Sequence, residues 1–200
     1  MKALWLVIYF TVLIWSAINP ADMPTWFLEV SPALIGIAVL WYTRRSFPLT
    51  PLTYWLILLH CVVLMIGGHY TYAHVPLGEW ARELFSLERN NYDKLAHLVQ
   101  GFVPAIIARE IILRREIIHS RAWCDFFAVC FCLAFSAFYE MIEWWVALLS
   151  DEAADAFLGT QGYVWDTQSD MAFALVGATL AVILLGEYHS RQMRARSYIQ

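Results

Sequence analysis

The residues best suited to chemistry are histidines and carboxylates that stand inside otherwise apolar segments. Asp93, His97 and Gln100 are spaced i, i+4 and i+7, so on a helix they share one face. Glu140 and Glu143 are spaced i, i+3 and share a face of a later segment. Charged and imidazole groups are costly in a bilayer unless they are partnered, so these positions are candidates for a functional site. Further polar side chains near the ends of apolar segments are Ser136, Asp166, Asp170, His69 and His74.

These residue types favour metal binding and acid–base chemistry. Histidine nitrogens and carboxylate oxygens are the usual ligands of zinc, iron and manganese, so a divalent ion of this group is the candidate cofactor. Two carboxylates held close together share a proton and can act as an acid and a base. The candidate metal ligands are His69, Asp93, His97, Glu140 and Asp170, the candidate acid/base residues are Glu143 and Asp166, and the further members of the cluster are His74, Gln100 and Ser136.

The same side chains also have structural interpretations. Asp93 and Asp166 stand at the starts of their segments, where aspartate is a favoured helix N-cap. His97, Glu140 and Asp170 lie at least one turn inside their segments, where capping is not available. A polar network that only fixes the packing of helices would still use these three residues. The sequence therefore predicts a polar site and leaves its role open between ligand binding and packing.

Composition places the chain in a bilayer. Of its 200 residues, 60% are hydrophobic and 15% are charged, whereas soluble domains carry about 25% charged residues. The net charge of −4 offers no basic surface, which argues against a nucleic-acid partner. The cysteines stand in apolar runs without a CxxC pair, so neither a disulfide nor a cysteine metal site is predicted. They are Cys61, Cys124, Cys130 and Cys132.

Six apolar segments have about the length that a helix needs to cross a bilayer, roughly 20 residues. They predict an all-α, integral membrane six-helix bundle that forms one domain over residues 1–200. The first segment is interpreted as a retained span rather than a cleaved signal. An amphipathic stripe at 77–88 predicts either an interfacial helix or a loop helix packed on the bundle, and an acidic loop is predicted at 150–165. The predicted spans are 3–19, 26–43, 52–72, 93–113, 122–149 and 166–185.

The basic residues are distributed unevenly between the two sides of this bundle. Ten of the 13 lysines and arginines fall on one side, which predicts an N-in/C-in protein with both termini cytoplasmic. The candidate site residues then gather on the outward side. The opposite halves of the spans contribute little comparable, namely Arg109, Glu110 and His60. The ten basic residues are Lys2, Arg44, Arg45, Arg109, Arg114, Arg115, Arg121, Arg191, Arg194 and Arg196.

Long blocks of the sequence resemble a known family. They are YDKLAH (92–97), GFVPA (101–105), FYEMIEWW (138–145), LGTQG (158–162) and WDTQSDM (165–171). They resemble the YjdF family, a group of bacterial multi-pass inner-membrane proteins of unknown function, and the resemblance implies an inner-membrane location. A more distant similarity to VanZ-like membrane proteins rests on Asp93, Lys94 and His97 and on the spacing of Asp170 and Gly177. It favours a function in the cell envelope, although Ala174 stands where that group tends to have asparagine.

Three classes of function remain open at this stage. The first is metal-assisted hydrolysis or transfer on an envelope lipid, a lipid-linked substrate or another small molecule. The second is a proton- or cation-coupled transporter or flippase, in which the helix kink at Gly101 and Pro104 would flex. The third is a structural or partner-binding membrane protein, with the acidic outer loops as docking surfaces. In each class the lipid bilayer is the immediate surrounding of the chain.

Overall fold

The computed structural model describes residues 2–149 and 161–199, and these residues form seven α-helices, one 3₁₀ turn and no strand. The predicted all-α fold class is therefore confirmed over this part of the chain. The first ten or so residues of the predicted acidic loop, at 150–160, lie outside the described residues. The helices are α1 (Lys2–Ala17), α2 (Met23–Thr43), α3 (Pro51–Tyr70), α4 (Pro76–Phe85), α5 (Tyr92–Arg114), α6 (Arg121–Leu149) and α7 (Asp166–Ala195), and the 3₁₀ turn is Tyr72–His74.

Five of these helices, α2, α3, α5, α6 and α7, are long and apolar enough to cross a membrane. The first helix has 16 residues, which is shorter than the roughly 20 residues of a typical span. The sixth span and the N-in/C-in orientation therefore stay predictions. The last helix runs to Ala195, well past its predicted end at residue 185. It continues because His189, Ser190 and Met193 are buried against the bundle, so this segment belongs to the fold.

Local capping sets the starts of α2 and α3. The Asp22 carboxylate accepts a hydrogen bond from the Thr25 amide at 2.8 Å, and the Thr50 hydroxyl accepts one from the Thr53 amide at 3.4 Å. Both helices carry a proline in the first turn, where its missing N–H costs nothing. Thr50 and Thr53 also bind a carboxylate of α5, so the cap of α3 is part of the tertiary structure.

The helix predicted at 77–88 forms as α4, and its apolar stripe is exposed. Leu77, Trp80 and Leu84 are each more than half exposed, so the stripe does not pack on the described bundle. Its location at a membrane interface stays a prediction. Asn90 anchors the helix, because its side-chain amide donates to the Val75 carbonyl at 3.0 Å and to Glu79 at 3.1 Å. Hydrogen bonds from Asn90 and then Arg82 hold the pKa of Glu79 below its usual value.

The fifth helix is the centre of the bundle, and it packs against α3, α6 and α7, while α1 and α2 pack on α3. Its closest neighbour is α7, which runs parallel to it. A Cβ atom at Gly101 would lie 1.8 Å from the carbonyl oxygen of Ala174, and one at Gly177 would lie 1.9 Å from that of Leu98. The two backbones therefore touch at this crossing, as helices in membranes do where small residues face each other.

A buried polar network joins the helices at the far end of the bundle, where α5 ends and α6 begins. The Glu110 carboxylate, fully buried, accepts hydrogen bonds from Thr53 at 2.6 Å, Arg114 at 2.8 Å and His189 at 3.0 Å. Arg109 donates to Asp125 at 2.7 Å and to Ser190 at 2.9 Å. The expectation of little polar chemistry in these halves is wrong, because several partners of Arg109 and Glu110 lie beyond the predicted limits of the spans.

Glu110→Ala is expected to destabilise the protein strongly. It leaves the buried His189 and Arg114 without their carboxylate, and breaking such a buried pair costs about 3–5 kcal/mol. The measurement is thermal unfolding of the purified protein in detergent. Glu187→Ala is the control, because Glu187 pairs with Arg191 at 3.2 Å on an exposed surface and its loss should change stability little. Equal melting temperatures for the two variants would contradict a stabilising role of the network.

Candidate histidine–carboxylate site

Three helices bring the predicted chemical residues together at the other end of the bundle. Asp93 and His97 come from α5, Glu140 and Glu143 from α6, and Asp170 from α7. These five residues are called the histidine–carboxylate site below. The Nε2 atom of His97 lies 3.6 Å from Asp93 Oδ1 and 3.5 Å from Glu140 Oε1. The sequence spacing placed the residues on the right helix faces, and antiparallel packing of α6 on α5 and α7 brought those faces together.

The distances suit ligands of one metal ion. Asp93, His97 and Asp170 offer ligand atoms within 4.8 Å of one another, and so do His97, Glu140 and Glu143. Two ligands in a tetrahedral site lie about 3.4 Å apart when the bonds to zinc are about 2.1 Å long. His97 belongs to both groups, and one imidazole nitrogen has one lone pair to give. The two groups therefore meet at His97, whose Nε2 faces Asp93 and Glu140.

Several atoms of the site are buried without a hydrogen bond. His97 is 4% exposed, Glu140 7% and Asp170 2%. In the part of the chain that the structure describes, His97 Nδ1, Glu140 Oε1 and Asp170 Oδ1 have no hydrogen-bond partner, and neither do Gln100 Oε1 and Ser136 Oγ. A buried polar group without a partner is costly, and such groups in native proteins are normally partnered by protein, water or an ion. Water or an ion at this site would supply partners for these atoms.

Negative charge exceeds positive charge around the site. Counted over the described residues, its four carboxylates are joined by those of Glu29 and Asp166 near the same cavity. The guanidinium of Arg89 forms an ion pair with Asp166. The ammonium of Lys94 lies 4.5 Å from the centre of the Tyr163 ring, so it faces an aromatic group. Protons or a cation would balance the remaining carboxylates.

Asp166 is held differently from the other carboxylates. Its ion pair with Arg89 makes it a counter-ion, which weakens its predicted role as an acid or base. The alternative role of Asp93 and Asp166 as N-caps is not observed either. The N-cap positions of α5 and α7 are Asn91 and Trp165, with no side-chain cap hydrogen bond at these described residues. Both aspartates lie in the first turn, where negative charge is favoured by the helix dipole.

Two predicted members of the cluster lie elsewhere. His69 Nδ1 lies 3.0 Å from the carbonyl oxygen of Ser16, and its ring centre is 4.5 Å from that of Trp15. His69 is therefore removed from the set of candidate metal ligands. The physical reason is that α3 stands between α1 and α5 and turns His69 toward α1. His74 Nδ1 lies 3.2 Å from the Thr71 hydroxyl in the 3₁₀ turn. Gln100 lines the cavity beside His97, and Ser136, one turn before Glu140 on α6, is buried.

Residues outside the predicted set complete the site. Glu29 of α2 is 3% exposed, and the Tyr139 hydroxyl donates a hydrogen bond to it at 3.1 Å. A lone carboxylate in an apolar span was the available signal for Glu29. His60, assigned from the sequence to the opposite half of its span, lines the same cavity. No feature of the sequence distinguishes Tyr139 from the other aromatic residues of its helix.

A small cavity of about 40 Å³ opens among these side chains. A volume of this size holds a water molecule or an ion with a water, since one water needs roughly 10–15 Å³ on the same measure. The lining residues are Glu29, Pro32, His60, Leu64, Tyr72, Asp93, Ala96, His97, Gln100, Phe135, Tyr139 and Glu143.

Comparisons with known proteins agree with a membrane protein. Residues 1–191 match the family model described as "Predicted membrane protein (DUF2238)". The chain is 51% identical over 183 residues to the inner membrane protein YjdF of Escherichia coli (strain K12), and the match covers 92% of this chain and 88% of that protein. No solved structure matches the chain.

Proposed function

We propose that the chain, which belongs to the DUF2238 family of predicted membrane proteins as its resemblance to YjdF proteins indicated, is a metal-dependent enzyme of the inner membrane. Its substrate would be an envelope lipid or a lipid-linked molecule, and its reaction hydrolysis or group transfer. The observation that carries the proposal is the position of His97. Its Nε2 lies 3.6 Å from Asp93 and 3.5 Å from Glu140, in a buried site with polar atoms that lack partners among the described residues.

The residues divide into ligands and a base. Asp93, His97, Glu140 and Asp170 would hold a zinc, manganese or iron ion, which supplies Lewis acidity toward a phosphoryl or acyl oxygen when bound. Glu143, 8% exposed and within reach of both His97 and Glu140, would take the proton of the attacking water. It would then return that proton to the leaving oxygen of the substrate. Asp166 and Arg89 would hold the starts of α5 and α7 together beside the site.

Metal analysis of the purified protein tests this proposal. About one equivalent of zinc, manganese or iron is expected in the wild type, because one His97 nitrogen serves one ion. Glu140→Ala should lose the ion, since it removes a ligand that lies 3.5 Å from His97. Glu79→Ala is the matched control. Glu79 lies on α4 and forms hydrogen bonds with Arg82 of the same helix and with Asn90, and it belongs to neither group of candidate ligands. Freshly purified wild type without metal would refute the proposal.

The proposed orientation places this site on the outward side of the inner membrane. Charge asymmetry supports it, because ten of the 13 basic residues fall on the side predicted to be cytoplasmic. A reporter fused after residue 200 is expected to be active in the cytoplasm. One fused in the loop between α5 and α6, near Ser120, should behave in the same way. Periplasmic activity of the C-terminal reporter would contradict the N-in/C-in arrangement.

Proton- or cation-coupled transport is the second candidate. The observation that favours it is the network at the far end of the bundle, where Glu110, His189 and Arg109 lie buried beneath the opposite surface. Polar groups therefore stand at both ends of α5. His60, in the middle of α3, lines the small cavity of the histidine–carboxylate site. Proton release into proteoliposomes under a sodium or pH gradient would support transport. Unchanged internal pH in the wild type would exclude proton coupling.

A further inference from the structure

We propose that an apolar groove beside the histidine–carboxylate site holds the hydrocarbon chain of a membrane phospholipid. The inference deepens the proposed function and rests on it for the role of the bound lipid. The groove has a volume of about 710 Å³ and is lined by α2, α3, α5 and α6. Its lining contains one charged side chain among the described residues, Arg115 at the far end.

The walls of the groove are exposed on the sides that face the bilayer. Ile35 and Val39 of α2 are 63% and 52% exposed, and Phe138 of α6 is 50% exposed. Val103 and Ile107 of the central helix form part of its floor. The surface between α2 and α6 is therefore open toward lipid, and a hydrocarbon chain can enter sideways from the bilayer. Burial of apolar surface does not favour this in itself, because acyl chains surround the whole span.

The length of the groove matches a lipid chain. Leu28 and Thr43 of α2 both line it, and they lie fifteen residues apart. At a rise of about 1.5 Å per residue this corresponds to about 22 Å. A hydrocarbon core is about 30 Å thick, so the groove exceeds the depth of one leaflet. An extended acyl chain can lie along it with its polar end near the start of α2.

The polar end of the groove is the functional site. Five residues line both the groove and the small cavity of the site, so the two spaces are adjacent. One of them, Tyr139, donates its hydroxyl hydrogen bond to Glu29 at this junction. A ligand with an apolar chain in the groove and a polar group at this end, which is the chemistry of a phospholipid, would bring that polar group beside the small cavity. The shared residues are Pro32, His60, Leu64, Phe135 and Tyr139.

Gly36 offers a way to fill the groove without disturbing the helix packing. It lines the groove, and a Cβ atom added there meets nothing within 4 Å. Gly36→Trp should therefore project an indole into the space that the lipid chain would occupy. Ile35→Trp is a second filled variant. Ala38→Trp is the matched control, because Ala38 is exposed on the same helix but does not line the groove.

Photolabelling tests the proposal with the full chain in vesicles of phosphatidylethanolamine and phosphatidylglycerol. A trace of phosphatidylglycerol with a diazirine in its acyl chain is the probe, and labelled peptides are identified by mass spectrometry. Labels are expected on the groove peptides of α2 and α6. They should be lost in Gly36→Trp and Ile35→Trp and kept in Ala38→Trp.

Two results would overturn the groove. One is labelling of the exposed α7 residues Ile183 and Leu184 that equals the labelling of the groove, together with groove labelling that the filled variants leave unchanged. The other is cross-linking of Ile35 to a second copy of the chain, which would make the groove a dimer interface. Metal content measured in the same samples separates the two proposals. Labelled grooves in a metal-free wild type would uphold the groove and refute the metal enzyme, whereas bound metal without groove labelling would do the reverse.

Discussion

His97→Ala is expected to abolish metal binding by the purified protein. The imidazole is the member common to both sets of ligand atoms, and no other described histidine belongs to either set. Loss of an outer-shell partner already costs about 10–100-fold in metal affinity, so loss of this ligand should cost more. The measurement is metal content by mass spectrometry, followed by titration of the chelated protein with zinc and manganese.

His69→Ala is the matched control for this experiment. Both histidines stand near the same end of the bundle, but His69 is bound to the Ser16 carbonyl and stacked near Trp15. Its variant should bind metal like the wild type. Equal loss of metal in the two variants would show that the loss does not report removal of a ligand, and metal retained in His97→Ala would show that the ion is held without His97.

Gly101→Ala is expected to destabilise the bundle by at least about 3 kcal/mol, at the upper end of the usual cost of overpacking. The added methyl group would lie 1.8 Å from the carbonyl oxygen of Ala174. A backbone oxygen cannot rotate away as a side chain can, so α5 and α7 must separate. The expected results are a lower melting temperature and a smaller monodisperse fraction after extraction in detergent. Metal affinity should fall as well, because the shift moves His97 away from Asp170.

Gly36→Ala is the control for this substitution. The same methyl group is added to a helix glycine, but at a position where it meets nothing within 4 Å. The higher helix propensity of alanine should leave stability unchanged or raise it by up to about 1 kcal/mol. If the Gly101 and Gly36 variants had the same stability, the close crossing of α5 and α7 would not be a feature of the folded protein.

The helical, membrane-embedded character of the chain was predictable because the bilayer imposes it. Backbone polar groups must be satisfied within the segment in lipid, so long apolar runs such as 93–113 form helices whatever their neighbours are. Proline at the start of α3 and aspartate before α2 marked helix beginnings for equally local reasons. The end of α7 was missed because Glu187 and Arg191 look like a solvated tail, while His189 between them is fully buried.

The site was predictable in part. Helical periodicity placed Asp93 and His97 on one face and Glu140 and Glu143 on another, and helix direction carried both pairs to one end. Periodicity does not say which neighbour a face meets. His69 shares that end and turns toward α1, while Glu29, which no motif marked, reaches the site from α2. The far-end network around Glu110 was missed for the same reason, since its partners come from three other helices.

Local chemistry along the chain was enough to predict helices in a bilayer and the ends at which charge collects, because each depends on residues one or two turns apart. It also marked Asp93 with His97 and Glu140 with Glu143 as pairs on shared helix faces, within a wider set of candidates. The contacts among those residues depend on helices that are distant in sequence. The glycine crossing of α5 and α7 sets the depth at which His97 meets Asp170, and packing of α6 places Glu140 3.5 Å from His97. Close packing between helices, which no local pattern encodes, therefore decided which polar residues form a site and which, like His69, hold the bundle together.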